Sequence, residues 1–111
     1  MAIFSTHLLN SIDGTHASDV EIVIHKVNNN NKDVFLEDKT DSSGRMLKEF
    51  ELTKEDCESD YEMIINSGKY FRNTSEIINS ISVKFKMKDP LKKYHIPLIV
   101  SPNGYSIWWS K

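Results

Sequence analysis

Short segments in which apolar and polar residues alternate recur along the whole chain, and this pattern constrains the fold more than any other feature. Residues 20–27 and 81–87 show it clearly, because every second side chain on one predicted face is apolar. Turn sequences separate the segments, such as Asp-Ser-Ser-Gly at 41–44 and Pro-Asn-Gly at 102–104. Seven or eight short strands in a chain of this length predict a mainly β fold, a two-sheet β-sandwich.

The individual strands can be placed from the alternation and the turns. They are predicted at residues 3–9, 20–27, 34–40, 45–52, 61–65, 81–87, 94–100 and 105–109. Thr53 is a suitable N-cap for one helical turn, and a short helix is compatible with the break at 67–72. We find no internal repeat or linker and predict one domain over residues 1–111.

Composition and charge exclude several classes of function. With 39% hydrophobic and 27% charged residues, the chain is typical of a soluble globular protein. A net charge of -2 without a basic cluster predicts no nucleic-acid partner. No apolar run approaches the roughly 20 residues that span a bilayer, and the N-terminus lacks signal-peptide features. The single cysteine, Cys57, excludes an internal disulfide, so the cytoplasm is the expected location.

Two histidines on predicted strands are candidates for acid–base chemistry. His95 lies in a strand that a tight turn follows, and His7 lies in the first strand. Histidine exchanges protons near neutral pH, so such a pair can act as an acid and a base in catalysis. Taken alone, each is more simply explained as a strand histidine satisfied by a neighbour, and Arg45 as a solvated turn residue. A metal held by His7 and His95 would lack further ligands at motif spacing, so we expect no metal and no cofactor.

Four motifs carry a resemblance to a known family. In order, they are Ile3-Phe4-Ser5-Thr6-His7-Leu8-Leu9 followed by Gly14, Thr40-Asp41-Ser42-Ser43-Gly44-Arg45, Gly68-Lys69-Tyr70-Phe71, and Tyr94-His95-Ile96-Pro97-Leu98-Ile99-Val100-Ser101-Pro102 with Gly104-Tyr105-Ser106. Together they resemble the transthyretin-like proteins, in the branch of the 5-hydroxyisourate hydrolases. The resemblance covers essentially the whole chain.

The resemblance implies a fold, an assembly and an activity. The fold is a sandwich of eight strands with one short helix, assembled as a homotetramer with sites at a dimer–dimer interface. The activity is ring-opening of 5-hydroxyisourate to 2-oxo-4-hydroxy-4-carboxy-5-ureidoimidazoline in urate catabolism, without a cofactor. The family's catalytic trio falls on His7, Arg45 and His95, with histidine activating water and arginine stabilising the anion. We prefer His7 as the base.

The C-terminus departs from the family pattern. The enzymes usually end in Tyr-Arg-Gly-Ser, whereas this chain ends in Trp108-Trp109-Ser110-Lys111. Trp109 stands in the arginine position, and an indole cannot make the charged contacts of a guanidinium. Ser106, Trp108 and Trp109 are the predicted substrate-binding residues, the indoles either stacking on a flat ring or burying surface at a subunit contact. Lys111 is a partial substitute for the lost charge.

Two alternatives to this hydrolase remain open at the level of sequence. One is a non-enzymatic protein of the same fold that binds a small ligand, as the transthyretin branch does. The other is a hydrolase of a related cyclic amide, which the replacement at Trp109 favours. A further departure, His16 in place of a common proline, is interpreted as loop variation.

Overall fold

A computed structural model describes residues 1–72 and 77–109 of the protein. This part of the chain forms eight strands and two short helices. They are β1 (Ala2–Asn10), β2 (Glu21–Asn28), β3 (Asn31–Lys39), β4 (Arg45–Phe50), α1 (Lys54–Glu58), β5 (Asp60–Ile65), α2 (Ser67–Tyr70), β6 (Ile81–Lys86), β7 (Lys93–Ser101) and β8 (Gly104–Ile107).

The strands form two four-stranded sheets. The first sheet has the order β4-β1-β7-β8 and the second the order β3-β2-β5-β6. All neighbouring pairs are antiparallel except β1 and β7, which run parallel although some 90 residues separate them. The predicted eight-stranded sandwich is confirmed.

Side chains from the inner faces of both sheets make one core. Phe4 of β1 stacks on Phe85 of β6 with ring centroids 5.2 Å apart, which joins the two sheets. The largest fully buried apolar side chains are Tyr61, Phe4, Leu8, Ile22, Ile24, Met63, Ile65, Ile81, Met87, Leu98 and Val100. Successive side chains of a strand point to opposite faces of the sheet. Because these residues point into the core, their neighbours along each strand lie on the outer faces.

Three local differences from the sequence-based expectations have simple causes. The strands β2 and β3 extend into the asparagine run, because Asn29 takes the left-handed conformation of a tight turn at φ 55°. The last strand ends at Ile107 rather than at 109, although the Trp108 amide still donates to the Pro97 carbonyl at 3.3 Å. Two helical segments are present where the resemblance implied one.

Each helix begins at a capping side chain. Thr53 caps α1 through a capping box with Asp56, as its predicted N-cap role requires. Asn66 caps α2, where its side chain accepts from the Lys69 amide. In the described part of the chain, neither helix is long and apolar enough to cross a membrane.

Candidate active site

The outer face of the first sheet brings the three predicted catalytic residues together. His7 near the end of β1 is the direct cross-strand partner of Arg45, which begins β4. On the other side, β7 places Pro97 opposite His7 and His95 opposite Ser5. All five residues share one face because Phe4, Thr6 and Leu8 of the same strand point into the core.

His95 is held by a residue from the other end of the chain. Its ring Nδ1 lies 2.7 Å from the Ser5 hydroxyl oxygen, a hydrogen bond across 90 residues of sequence. The contact depends on the parallel pairing of β1 and β7. Thr6, on the core-facing side of β1, stabilises this pairing. The buried Thr6 hydroxyl donates to the Ile96 carbonyl at 2.7 Å. The second ring nitrogen of His95, Nε2, is therefore the one left to act on a substrate.

Both histidines are biased toward the neutral form. Burial lowers the pKa of His7 below its ordinary value of 6.5, and the charge of Arg45 and the rings of His16 and His95 lower it further. A hydrogen bond that the His7 ring donates to the backbone of Ser43 opposes this shift in part. Burial also lowers the pKa of His95, followed by the charges of Lys93 and Arg45. A neutral imidazole at physiological pH can accept a proton from water.

A rigid turn sets the position of Arg45. The Asp41 carboxylate accepts from the Ser43 amide at 2.9 Å, the Ser43 hydroxyl at 2.7 Å and the Arg45 amide at 3.0 Å. These contacts lower the pKa of Asp41. Gly44 completes the turn with φ 73°, and a Cβ there would lie 2.5 Å from the Leu8 carbonyl oxygen. Only glycine allows the turn to approach β1 so closely.

A fourth site residue, His16, was missed by the sequence analysis. Its Nδ1 lies 3.0 Å from Nε2 of His7, a contact that the interpretation of this position as loop variation did not include. The residue comes from the β1–β2 loop, which folds back over β1. The signal that could have found it is the replacement of a common proline by a residue able to make hydrogen bonds. Ser5 could have been found by its alternation with His7.

The predicted substrate-binding residues lie on the neighbouring strand and beyond it. Ser106 is opposite Ile99 on the outer face of the first sheet, the face that carries His7. Trp108 and Trp109 line a cavity of about 580 Å³ at the edge between β6 and β8. Other residues lining it include Val83, Phe85, Tyr94, Ile96 and the lysines 84, 86, 88, 92 and 93. Ser110 and Lys111 lie outside the described residues.

The comparisons with known proteins agree with this arrangement. The model of the HIUase/Transthyretin family matches residues 4–109. The chain belongs to the HIUase/Transthyretin family. A curated relative, the 5-hydroxyisourate hydrolase of Salmonella dublin, is 31% identical over 108 residues, which cover 96% of this chain and 79% of the relative. The family expected from the motifs, and its hydrolase branch, are confirmed.

Solved structures extend the likeness of this HIUase/Transthyretin chain to the fold. The 5-hydroxyisourate hydrolase of Klebsiella pneumoniae matches with a TM-score of 0.82 and 19% identity, covering 100% of both chains. Sea bream transthyretin in complex with thyroxine matches with a TM-score of 0.80 and 17% identity, covering 96% of this chain and 93% of that one. An enzyme and a ligand carrier thus share this fold, so the side chains at the site must decide between functions.

The histidines of this family member lie apart from other potential metal ligands. Within residues 1–72 and 77–109, no group of three or more His, Cys, Asp or Glu side chains is arranged to hold a metal ion. His7 and His95 instead use ring nitrogens for contacts with His16 and Ser5. These contacts restrict the orientation of both rings.

Proposed function

We propose that this protein hydrolyses 5-hydroxyisourate, opening its ring at an amide bond. The observation that carries the proposal is the juxtaposition of His7, Arg45 and His95 on one sheet face, where two imidazoles with lowered pKa lie beside one guanidinium. A base, a proton donor and an anion-binding group are what ring-opening by water requires. The 31% identity to a 5-hydroxyisourate hydrolase supports the choice of substrate.

In the proposed reaction, water adds to a ring carbonyl carbon. His7 takes a proton from the water as the new C–O bond forms, and Arg45 stabilises the negative charge on the carbonyl oxygen. The ring C–N bond then breaks, and the nitrogen leaves with the proton that His7 took from the water, while the second histidine, His95, donates a hydrogen bond to it; both imidazoles are then neutral again. The product carries a carboxylate where the amide was, as in 2-oxo-4-hydroxy-4-carboxy-5-ureidoimidazoline. The general-base step contributes roughly 10²–10⁴-fold to the rate.

Ser106, Trp108 and Trp109 are the proposed substrate contacts. Ser106 lies on the same sheet face as His7 and offers a hydroxyl at its rim. The indoles are 44% and 63% exposed, so they retain apolar surface on which a flat ring or a second subunit could pack.

The proposed assembly is a homotetramer of one domain per chain, residues 1–111, in the cytoplasm, with the site at a dimer–dimer interface. Its support is apolar surface on the catalytic face, where Leu47 is 54% and Ile99 is 37% exposed. Exposed apolar side chains beside a solvent-accessible site favour an interface in which a second subunit packs against this face. Light scattering on the purified chain measures the assembly directly, and a monomeric mass would contradict it.

The activity test uses substrate generated in place from urate by urate oxidase. The decay of 5-hydroxyisourate is followed by ultraviolet absorbance with wild type, with His95→Ala and with His25→Ala, a matched deletion on β2 of the other sheet. We expect acceleration by wild type and His25→Ala that disappears in His95→Ala. A wild-type rate equal to the spontaneous decay would contradict the proposal.

A small-ligand binding protein is the second candidate. The cavity of about 580 Å³ beside Trp108 and Trp109 favours it, because ligand sites are commonly apolar clefts of this size with a few polar groups. Tryptophan fluorescence during titration with aromatic anions tests it. A carrier would show a saturable change in a protein without hydrolytic activity, and His95→Ala would alter its affinity only modestly.

A further inference from the structure

The contact between His7 and His16 joins two imidazoles through their nitrogens. Nε2 of His7 lies 3.0 Å from Nδ1 of His16, and the ring centroids are 5.1 Å apart with planes inclined by 25°. The centroid distance is nearly as long as the N–N distance and the two ring radii together, so the centroids and the two nitrogens lie almost on one line. The rings therefore meet edge to edge, as a hydrogen bond requires, rather than face to face.

The backbone holds His16 in this position from both sides. Leu9 and His16 form an isolated antiparallel bridge, and the Asn10 amide donates to the Thr15 carbonyl at 2.8 Å. After His16, the amide of the fully buried Ala17 donates to the Leu8 carbonyl at 2.9 Å. The loop thus extends the hydrogen bonding of β1, and the backbone of His16 is held in position as the backbone of a strand residue is.

We infer that His16 is a positioning residue that acts through His7, fixing the ring orientation and tautomer of the proposed base. The inference rests on the proposed function. It extends the site beyond the trio of His7, Arg45 and His95.

The tautomer follows from the two partners of the His7 ring. A backbone hydrogen bond at Ser43 favours protonation of His7, as a carbonyl acceptor does, and Nε2 faces His16, which leaves Nδ1 for Ser43. Neutral His7 therefore carries its hydrogen on Nδ1 and its lone pair on Nε2. The Nδ1–H of His16 therefore donates to Nε2 of His7 in the neutral pair, and it must turn away from Nε2 before His7 can take a proton from water there.

The groups around His7 disfavour its charged form. His7 is faced by Arg45 from β4, by His95 from β7 and by His16 from the loop. If both imidazoles of the pair were charged, two N–H groups would point at each other beside a guanidinium. These neighbours thus favour the neutral form of His7 at the pH where hydrolysis is proposed.

The first test compares two substitutions in the full-length protein. His16→Leu removes both ring nitrogens, whereas the side-chain amide of His16→Asn occupies about the position of Nδ1. With 5-hydroxyisourate as substrate, we expect His16→Leu to lower kcat about three- to tenfold, the effect of one hydrogen bond, with KM unchanged. His16→Asn should restore most of kcat.

The second test needs no activity. Long-range proton–nitrogen NMR spectra of the substrate-free protein report the tautomer and the titration of His7. In His16→Leu we expect a mixture of tautomers and a higher pKa for His7, because a neighbour that lowers it is gone. The ring signals of His25, on β2 of the other sheet, are the internal control and should be the same in all three proteins.

The outcomes separate this inference from the proposed function. If His7 has the same tautomer and titration in wild type and His16→Leu, the inference is overturned whatever the activity. A loss of kcat that His16→Asn does not restore also overturns it, since the loop alone then explains the effect. If the NMR changes appear but wild type does not hydrolyse 5-hydroxyisourate, the His7–His16 pair is supported and the proposed hydrolysis fails.

Discussion

His7 and Arg45 face each other directly across the antiparallel pair of β1 and β4. Residues in this relation have Cβ atoms about 5 Å apart, so the guanidinium charge is held close to the imidazole. After burial, this charge is the largest cause of the lowered pKa of His7, and it also lowers the pKa of His95. One residue can therefore stabilise an anionic substrate and keep both histidines neutral.

The pH dependence of hydrolysis should reflect these lowered pKa values. Because His7 and His95 ionise below 6.5, kcat/KM should stay constant as the pH falls to about 6.5 and decline only below it. Initial rates across the pH range, corrected for spontaneous decay, measure this. An acid limb centred above 6.5 would contradict the neutral-histidine site.

Stability should change with pH in the same sense. In the unfolded chain both histidines have the ordinary pKa of 6.5, whereas in the folded protein both pKa values are lower. The unfolded state therefore binds more protons below 6.5, and the free energy of unfolding falls as the pH drops through the folded pKa values. Denaturant unfolding at two pH values measures it, with His7→Gln as the variant in which the loss should be smaller.

Removal of the Arg45 charge should have two separable effects. In Arg45→Gln, we expect kcat/KM to fall about 10²–10³-fold, as on loss of a donor to a developing oxyanion, and the acid limb to move to higher pH. Arg45→Lys keeps the charge but not the planar fork, so it should preserve the acid limb while losing part of the rate. Equal pH profiles for both variants would show that the charge does not tune the histidines.

Replacement of Gly44 should damage the site more than replacement of another turn glycine. Gly44→Ala places a Cβ 2.5 Å from the Leu8 carbonyl oxygen and 3.2 Å from Cβ of His16, in a left-handed conformation. We expect a loss of about 1–3 kcal/mol in the free energy of unfolding together with lower activity. Gly104→Ala, where no heavy atom lies within 4 Å of the new Cβ, is the matched control. Equal loss in both variants would contradict the close approach.

The tail substitution can be reversed to test substrate choice. If a related cyclic amide is the true substrate because Trp109 replaces the family's arginine, Trp109→Arg should raise the rate on 5-hydroxyisourate. Steady-state kinetics of this variant, beside Trp109→Lys to separate charge from shape, decide the point. No gain, or a loss, counts against the related-amide alternative.

Much of the fold could be predicted because it depends on local patterns. The alternation in residues 81–87, the turn at 41–44 and the Thr53 cap are read over a few residues, and each agrees with the structure. Strand ends were less predictable. The sequence does not reveal whether a terminal residue such as Trp108 finds a partner strand for all of its backbone groups.

The sequence by itself determined which residues alternate, where the chain turns and, through its motifs, that His7, Arg45 and His95 belong together. Only the tertiary structure decided what each of them touches. The parallel pairing of β1 with β7 brings Ser5 to His95, and the folding of a loop over β1 brings His16 to His7. Such contacts depend on the register between distant strands, which is set by packing of the shared core and not by the residues that make the contact.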